Sequence, residues 1–206
     1  MKKSSSGNII SLLYQNFSVL LISLFCFLLG ISVGVFTEII LSPENRESIQ
    51  AFLDVHLFLS QLTGTDLPYV FLRSVASNLV LILIIAIAGL SIIGFPAALL
   101  ILIYKGAALG FSATLLIDTL SFKGVLWVLL TLVPQNLILI PCYLIAAMAS
   151  LSFTFSLLTS GPSAIKKCLI TSIGSYLAFF FIIAVFVLGG CFVESFISPF
   201  LQQLLG

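Results

Sequence analysis

The chain is poor in charged residues and in residues that carry out chemistry. Only 7% of its 206 residues are charged, and its net charge is +1, whereas soluble domains have about 25% charged residues. No cluster of Lys or Arg exceeds two residues. The basic surface that binds nucleic acid is therefore missing, and this class of protein is excluded.

Histidine and paired cysteines are equally scarce. The four cysteines are widely spaced with no C-x-x-C pair, so they indicate neither a zinc site nor a redox dithiol. The single histidine, His56, has no His, Cys or paired acid at ligand spacing. No Ser or Cys has a His and an acid placed to activate it. We therefore predict no catalytic residue, no metal and no cofactor, and hence a protein that is not an enzyme.

The chain instead contains long runs of apolar residues. Its hydrophobic residues make up 61% of the sequence, and its mean hydropathy is +1.30, as expected for an integral membrane protein. From Leu79 to Ile117, thirty-nine residues contain one charged side chain and one break, Gly94-Phe95-Pro96. About 20 apolar residues cross a bilayer as a helix, so this run predicts two consecutive spans.

The fold predicted is an all-α bundle of about five transmembrane spans with a broken fourth helix. A second uncharged run, Gly124 to Leu158, is too long for one straight span, and Pro134 and Pro141 interrupt it. We expect a short helix entering the membrane over 124–133, then an irregular elbow at Pro134-Gln135-Asn136. The predicted spans are residues 17–39, 76–93, 97–117, 137–158 and 170–193.

Residues 40–72 form the one sizeable polar segment. Ser42-Pro43 is typical of a helix start, and an amphipathic helix follows it. Its apolar face includes Ile49, Phe52, Leu53 and Leu59. Two interpretations stay open: the helix lies on the membrane surface, or it packs on the ends of its own bundle.

Positive charges in short loops predict the orientation. Four lysines, Lys2, Lys3, Lys166 and Lys167, fall on one side of a five-span chain, against Arg46, Arg73 and Lys123 on the other. Cytoplasmic loops carry the excess of Lys and Arg. The N-terminus is therefore predicted to be cytoplasmic and the C-terminus extracytoplasmic.

Lys105 is the most unusual residue, because an ionisable group inside a span costs roughly 2.5 to 3.5 kcal/mol on insertion scales. One interpretation places it on an ion or substrate pathway, and the other makes it a structural lysine. Gln135 and Asn136 are the second anomaly, since amides in a membrane need partners. A contact between Lys105 and these two amides would satisfy all three groups, and it defines our candidate intramembrane polar site.

Two pairs of glycines mark candidate packing faces. Gly30 and Gly34 lie four residues apart in the first span, and Gly106 and Gly110 repeat this spacing in the third. Small residues at this spacing allow another helix to approach closely. We treat both pairs as candidate helix-packing sites.

Two stretches resemble a known family. In their residues and in their order they are similar to stage II sporulation protein M of endospore-forming bacteria. The stretches are GLSIIGFPAALLILIYKGAALGFSATLL (89–116) and LTLVPQNLILIPCYLIAA (130–147). The resemblance implies a five-span, non-catalytic protein of the sporulation septum membrane. It also implies a scaffold that recruits and localises septal peptidoglycan hydrolases, with stage II sporulation proteins P and D as partners, during engulfment of the forespore.

On this interpretation the segment 40–72 is the favoured surface for docking an extracytoplasmic partner, through Ile49, Phe52, Leu53 and Leu59. The alternative function is a membrane transporter or channel that uses Lys105 and the Gln135/Asn136 elbow. The two hypotheses make different demands. A scaffold needs the outer segment, whereas a transporter needs the lysine.

Overall fold

The computed structural model describes residues 17–41, 67–91, 95–120, 122–159 and 162–197, and within these ranges every regular element is a helix. Apolar composition explains this, because a helix satisfies its own backbone hydrogen bonds where no water is present. The α-helices are α1 (Phe17–Ile40), α2 (Leu67–Leu90), α3 (Phe95–Leu120), α4 (Phe122–Trp127), α5 (Val133–Thr159) and α6 (Pro162–Phe192). Two π-helical segments, Val128–Leu132 and Val193–Ile197, follow α4 and α6.

Five stretches of these helices are long and apolar enough to cross a membrane. They are Phe17–Ile40, Pro68–Leu90, Pro96–Thr119, Gly124–Leu158 and Ser172–Phe196. The all-helical, five-span prediction is thus confirmed. The fourth stretch is the most enclosed, with 50% of its best window buried, so it forms the centre of the bundle.

The glycine pairs lie at the contact between α1 and α3. A methyl group added to Gly30 would overlap the backbone of Ile103, and one added to Gly34 would overlap that of Ala107. In the other direction, Gly106 faces Phe27 and Gly110 meets the backbone of Ile31. Along the contact, residue numbers increase in the same direction on both helices, so the helices run parallel. At the glycines they touch backbone to backbone.

The contact between α2 and α5 is also parallel. Tyr143, Ser150 and Thr154 of α5 donate hydrogen bonds to α2, each to a residue 65 positions earlier in the chain. A constant offset arises only when two helices run in the same direction. Between these bonds Ala146 and Ala147 are fully buried, and their small side chains let the helices approach.

α2 extends beyond the predicted second span at its N-terminal end. The helix begins at Leu67, nine residues before the predicted span boundary at 76. Proline is favoured in the first turn of a helix, and Pro68 occupies that position. The apolar residues that follow it then continue directly into the span. The predicted outer segment, 40–72, therefore ends in α2, and its residues 42–66 lie outside the described ranges.

The predicted irregular elbow at residues 134–136 is wrong, because these residues belong to the first turn of α5. The helix is instead distorted one turn earlier, where the N–H of Val133 bonds to the carbonyl of Val128, five residues back. This wider π-helical turn leaves room for the ring of Pro134. The fourth span is distorted but remains helical throughout.

Candidate functional site

Lys105 lies near the middle of α3, ten residues after its first residue, or about 15 Å along the axis. Its Nζ donates a hydrogen bond of 2.7 Å to Oδ1 of Asn78 on α2. The same Nζ lies 5.0 Å from the ring centroid of Tyr143 on α5, where a cation is attracted to the ring face. The lysine thus has its own partners inside the bundle.

Asn78 is the hub of this site and is only 3% exposed. Its Oδ1 accepts bonds from Lys105 and from the hydroxyl of Tyr143, the latter at 3.0 Å. Its Nδ2 donates to the carbonyl of Ser74 at 2.9 Å and lies 3.6 Å from Sγ of Cys191. Both ends of the amide are satisfied, as burial in a membrane requires.

Ser74 extends the chain of hydrogen bonds to an acid. Its Oγ accepts a long bond of 3.4 Å from Nδ2 of Asn78 and donates a short one of 2.5 Å to Oε2 of Glu194. Glu194 lies in the π-helical segment that follows α6. We call Ser74, Asn78, Lys105, Tyr143, Cys191 and Glu194 the polar network.

The polar network contains one cation and one anion, so its formal charges cancel. Such balance matters because an uncompensated charge is costly away from water. Lys105 and Glu194 do not touch; two neutral side chains connect them. The arrangement ties α2, α3, α5 and α6 together at one level of the bundle.

The predicted contact between Lys105 and the amides of Gln135 and Asn136 is wrong. Lys105 bonds to Asn78 instead, and Nδ2 of Asn136 donates to the carbonyl of Leu132 at 2.8 Å. Oε1 of Gln135 is buried and accepts no hydrogen bond from the described residues. Because residues 134–136 are helical, the rotation of α5 about its axis determines where the amides of Gln135 and Asn136 point.

The candidate docking residues Ile49, Phe52, Leu53 and Leu59 lie outside the described residues. Among the described residues, no group of three or more His, Cys, Asp or Glu is placed to hold a metal ion. The one thiol in the polar network, that of Cys191, lies 3.6 Å from the amide nitrogen of Asn78. The network's chemistry is that of hydrogen bonding and charge compensation.

A family model for stage II sporulation protein M matches residues 23–199, which is most of the chain. The chain belongs to the stage II sporulation protein M family. Comparison with curated proteins and with solved structures gave no match. Membership of this family implies a role in sporulation, and the five apolar helices agree with a multi-pass membrane protein. The stage II sporulation protein M family is not known as a family of enzymes.

All members of the polar network fall within the part that matches stage II sporulation protein M. Of these, the sequence identified only Lys105. The predicted span 76–93 has Asn78 at its edge, and the predicted span 170–193 ends before Glu194, so the sequence indicates neither as a membrane residue. The signal that was available is the amide itself: an Asn eleven residues into an apolar helix needs a partner.

Proposed function

We propose that the chain is a non-catalytic membrane scaffold, one that recruits and localises septal peptidoglycan hydrolases during forespore engulfment. The observation that carries this proposal is the satisfied polar network: its charged and polar groups bond to one another across four helices. A scaffold needs such a fixed bundle to hold its partner-binding segments in place. Family membership supplies the process, sporulation.

The proposed partners are stage II sporulation proteins P and D, and the proposed location is the sporulation septum. The outer segment that precedes α2 is the proposed docking surface, with Ile49, Phe52, Leu53 and Leu59 as its apolar contacts. Ser74 is in the second turn of α2, and its bond to Glu194 ties the start of α2 to the end of α6. A partner held there would be positioned relative to the bundle.

A photo-cross-linking amino acid placed singly at residues 49, 52, 53 and 59 tests this docking in engulfing cells. We expect covalent capture of a peptidoglycan hydrolase, identified by mass spectrometry. Residues 47, 50 and 54, on the opposite face of the predicted helix, serve as the matched control. Equal capture from both faces, or capture from the tail (198–206) alone, would refute this docking surface.

The proposed orientation has an extracytoplasmic C-terminus and a cytoplasmic N-terminus. A reporter that is active only outside the cytoplasm, fused after Gly206, should then be active, and one fused before Met1 should not. The reverse pattern would place residues 42–66 in the cytoplasm. A docking role toward septal wall hydrolases would fail with it.

The transporter alternative lacks its expected geometry, because Lys105 and the amides of Gln135 and Asn136 do not converge. The two functions are separated by Lys105→Met in cells. A scaffold retains engulfment and septal localisation as long as the variant folds, whereas a transporter loses its function even when the protein level and location are normal. The second result would overturn the scaffold proposal.

A further inference from the structure

The first two turns of α2, residues 68–74, are little enclosed by the rest of the described structure. Tyr69 is 65% exposed and Leu72 is 66% exposed. Within these turns only Phe71 is half-buried and only Ser74 is buried. Among the described residues, these two side chains therefore hold this part of α2 in place, apart from the continuity of the helix itself.

Both side chains contact the π-helical segment that follows α6. The ring centroid of Phe71 lies 6.0 Å from that of Phe196, a separation at which aromatic rings attract each other. Oγ of Ser74 donates its hydrogen bond to Oε2 of Glu194 at 2.5 Å. A hydrogen bond to a carboxylate is roughly twice as strong as one between neutral groups. The end of α6 thus holds the start of α2.

The two helix ends meet over about two turns. Three successive contacts join them: Phe71 with Phe196, Ser74 with Glu194, and Asn78 with Cys191. Residue numbers rise on α2 as they fall toward α6, so the two run antiparallel. The outermost contact, at Phe71, is only about 6 Å along the axis from Leu67, where α2 begins. The chain therefore enters α2 close to the end of the π-helical segment at Ile197.

We propose that Ser74, Glu194 and Phe196 are positioning residues for partner docking. This inference rests on the proposed docking role of the segment that precedes α2. That segment is attached directly to Leu67, so any tilt or rotation of the first two turns of α2 changes where it is held above the membrane. The end of α6, more than 100 residues away in sequence, thereby controls docking at the segment before α2.

Photo-cross-linking at residue 53 in engulfing cells tests the proposal, with residue 54 on the opposite face of the predicted helix as the reference. Ser74→Ala removes the donor, and hydrolase capture at residue 53 relative to residue 54 should fall about tenfold, as expected for the loss of one hydrogen bond to a charged group. Ser74→Thr keeps the hydroxyl and should retain the ratio. Ser77→Ala is the matched control, because Oγ of Ser77 bonds within its own helix to the carbonyl of Ser74. A folding defect would lower capture at both positions alike, so the ratio isolates positioning.

Phe196→Leu provides a second, independent variant. It removes the aromatic contact with Phe71 while the bond between Ser74 and Glu194 stays in place, and Phe196 is 36% exposed, so folding should survive. The capture ratio should fall here too, whereas Phe181→Leu, at a position on α6 that is 72% exposed, should leave it unchanged.

The outcomes separate the two proposals. If Phe196→Leu or Ser74→Ala keeps the original capture ratio at a normal protein level, the positioning role is wrong and the docking surface stands. If Ser74→Ala does not accumulate, Phe196→Leu decides alone. Absence of hydrolase capture in the original chain would instead refute the docking surface, and the positioning role with it.

Discussion

Lys105 and Glu194 are connected through two neutral side chains, Asn78 and Ser74, by hydrogen bonds of 2.7, 3.4 and 2.5 Å. Their charges compensate each other without direct contact. α2, α3 and the π-helical segment after α6 must keep their relative positions for this chain of bonds to form. The predictions below test that network and the contacts beside it.

The stability losses from removing the two charges should not be additive. Lys105→Met or Glu194→Gln alone leaves an uncompensated charge, and we expect a loss of about 1–3 kcal/mol in unfolding free energy. The double variant should lose less than the sum of the single losses. Thermal unfolding in detergent, followed by size-exclusion fluorescence, measures the effect. Strictly additive losses would mean that the two charges do not interact.

The role of Asn78 is testable against a second asparagine. Asn78→Leu removes the acceptor of Lys105 and Tyr143, leaving a buried cation without its hydrogen bond, and should cost about 1–3 kcal/mol. Asn136→Leu is the control, since its amide bonds only within its own span. Asn136→Leu should cost clearly less in the same thermal assay. If Asn136→Leu cost more stability than Asn78→Leu, Asn78 would not be the centre of the polar network.

An added methyl group should destabilise the protein at a glycine in a helix contact but not at a glycine with open space around it. Gly34→Ala forces a methyl group into the backbone of Ala107, so we expect a loss of about 1–3 kcal/mol and a weakened contact between α1 and α3. Gly189 has open space around the same position. Gly189→Ala should be neutral or stabilise by about 0.5–1 kcal/mol, because Ala favours helix. Cysteine cross-linking between α1 and α3 reports the contact directly; equal effects of the two variants would contradict this account.

The hydroxyl bonds between α5 and α2 should be individually weak. Ser150 and Thr154 donate to the carbonyls of Ile85 and Gly89 on α2, and hydrogen bonds between helices in a membrane contribute little on average because the separated helices also find partners. Ser150→Ala and Thr154→Val should therefore cost about 0.6 kcal/mol each, the average for such bonds in membranes. Ser32→Ala, which removes a bond within α1 alone, is the control and should have almost no effect. A loss above 2 kcal/mol at Ser150 would show that its carbonyl acceptor depends on it.

The distortion of the fourth span shows where sequence reasoning was incomplete. Pro134 and the length of the run indicated an interruption, and one is present, but as the π-helical turn Val128–Leu132. An i→i+5 turn and an irregular elbow both accommodate a proline. The choice depends on whether neighbouring helices leave space for the wider turn, and sequence spacing does not contain that information.

The sequence by itself determined that this chain is helical, that it crosses a membrane about five times, and which family it resembles. Hydropathy and helix breaks are local properties, readable along the chain. Only the tertiary structure decided that Lys105 is bonded to Asn78 and balanced by Glu194, because that depends on the rotation and depth of α2, α3 and the end of α6. A charged residue within an apolar run indicates that a partner is needed. Only the packing of the helices determines which residue that partner is.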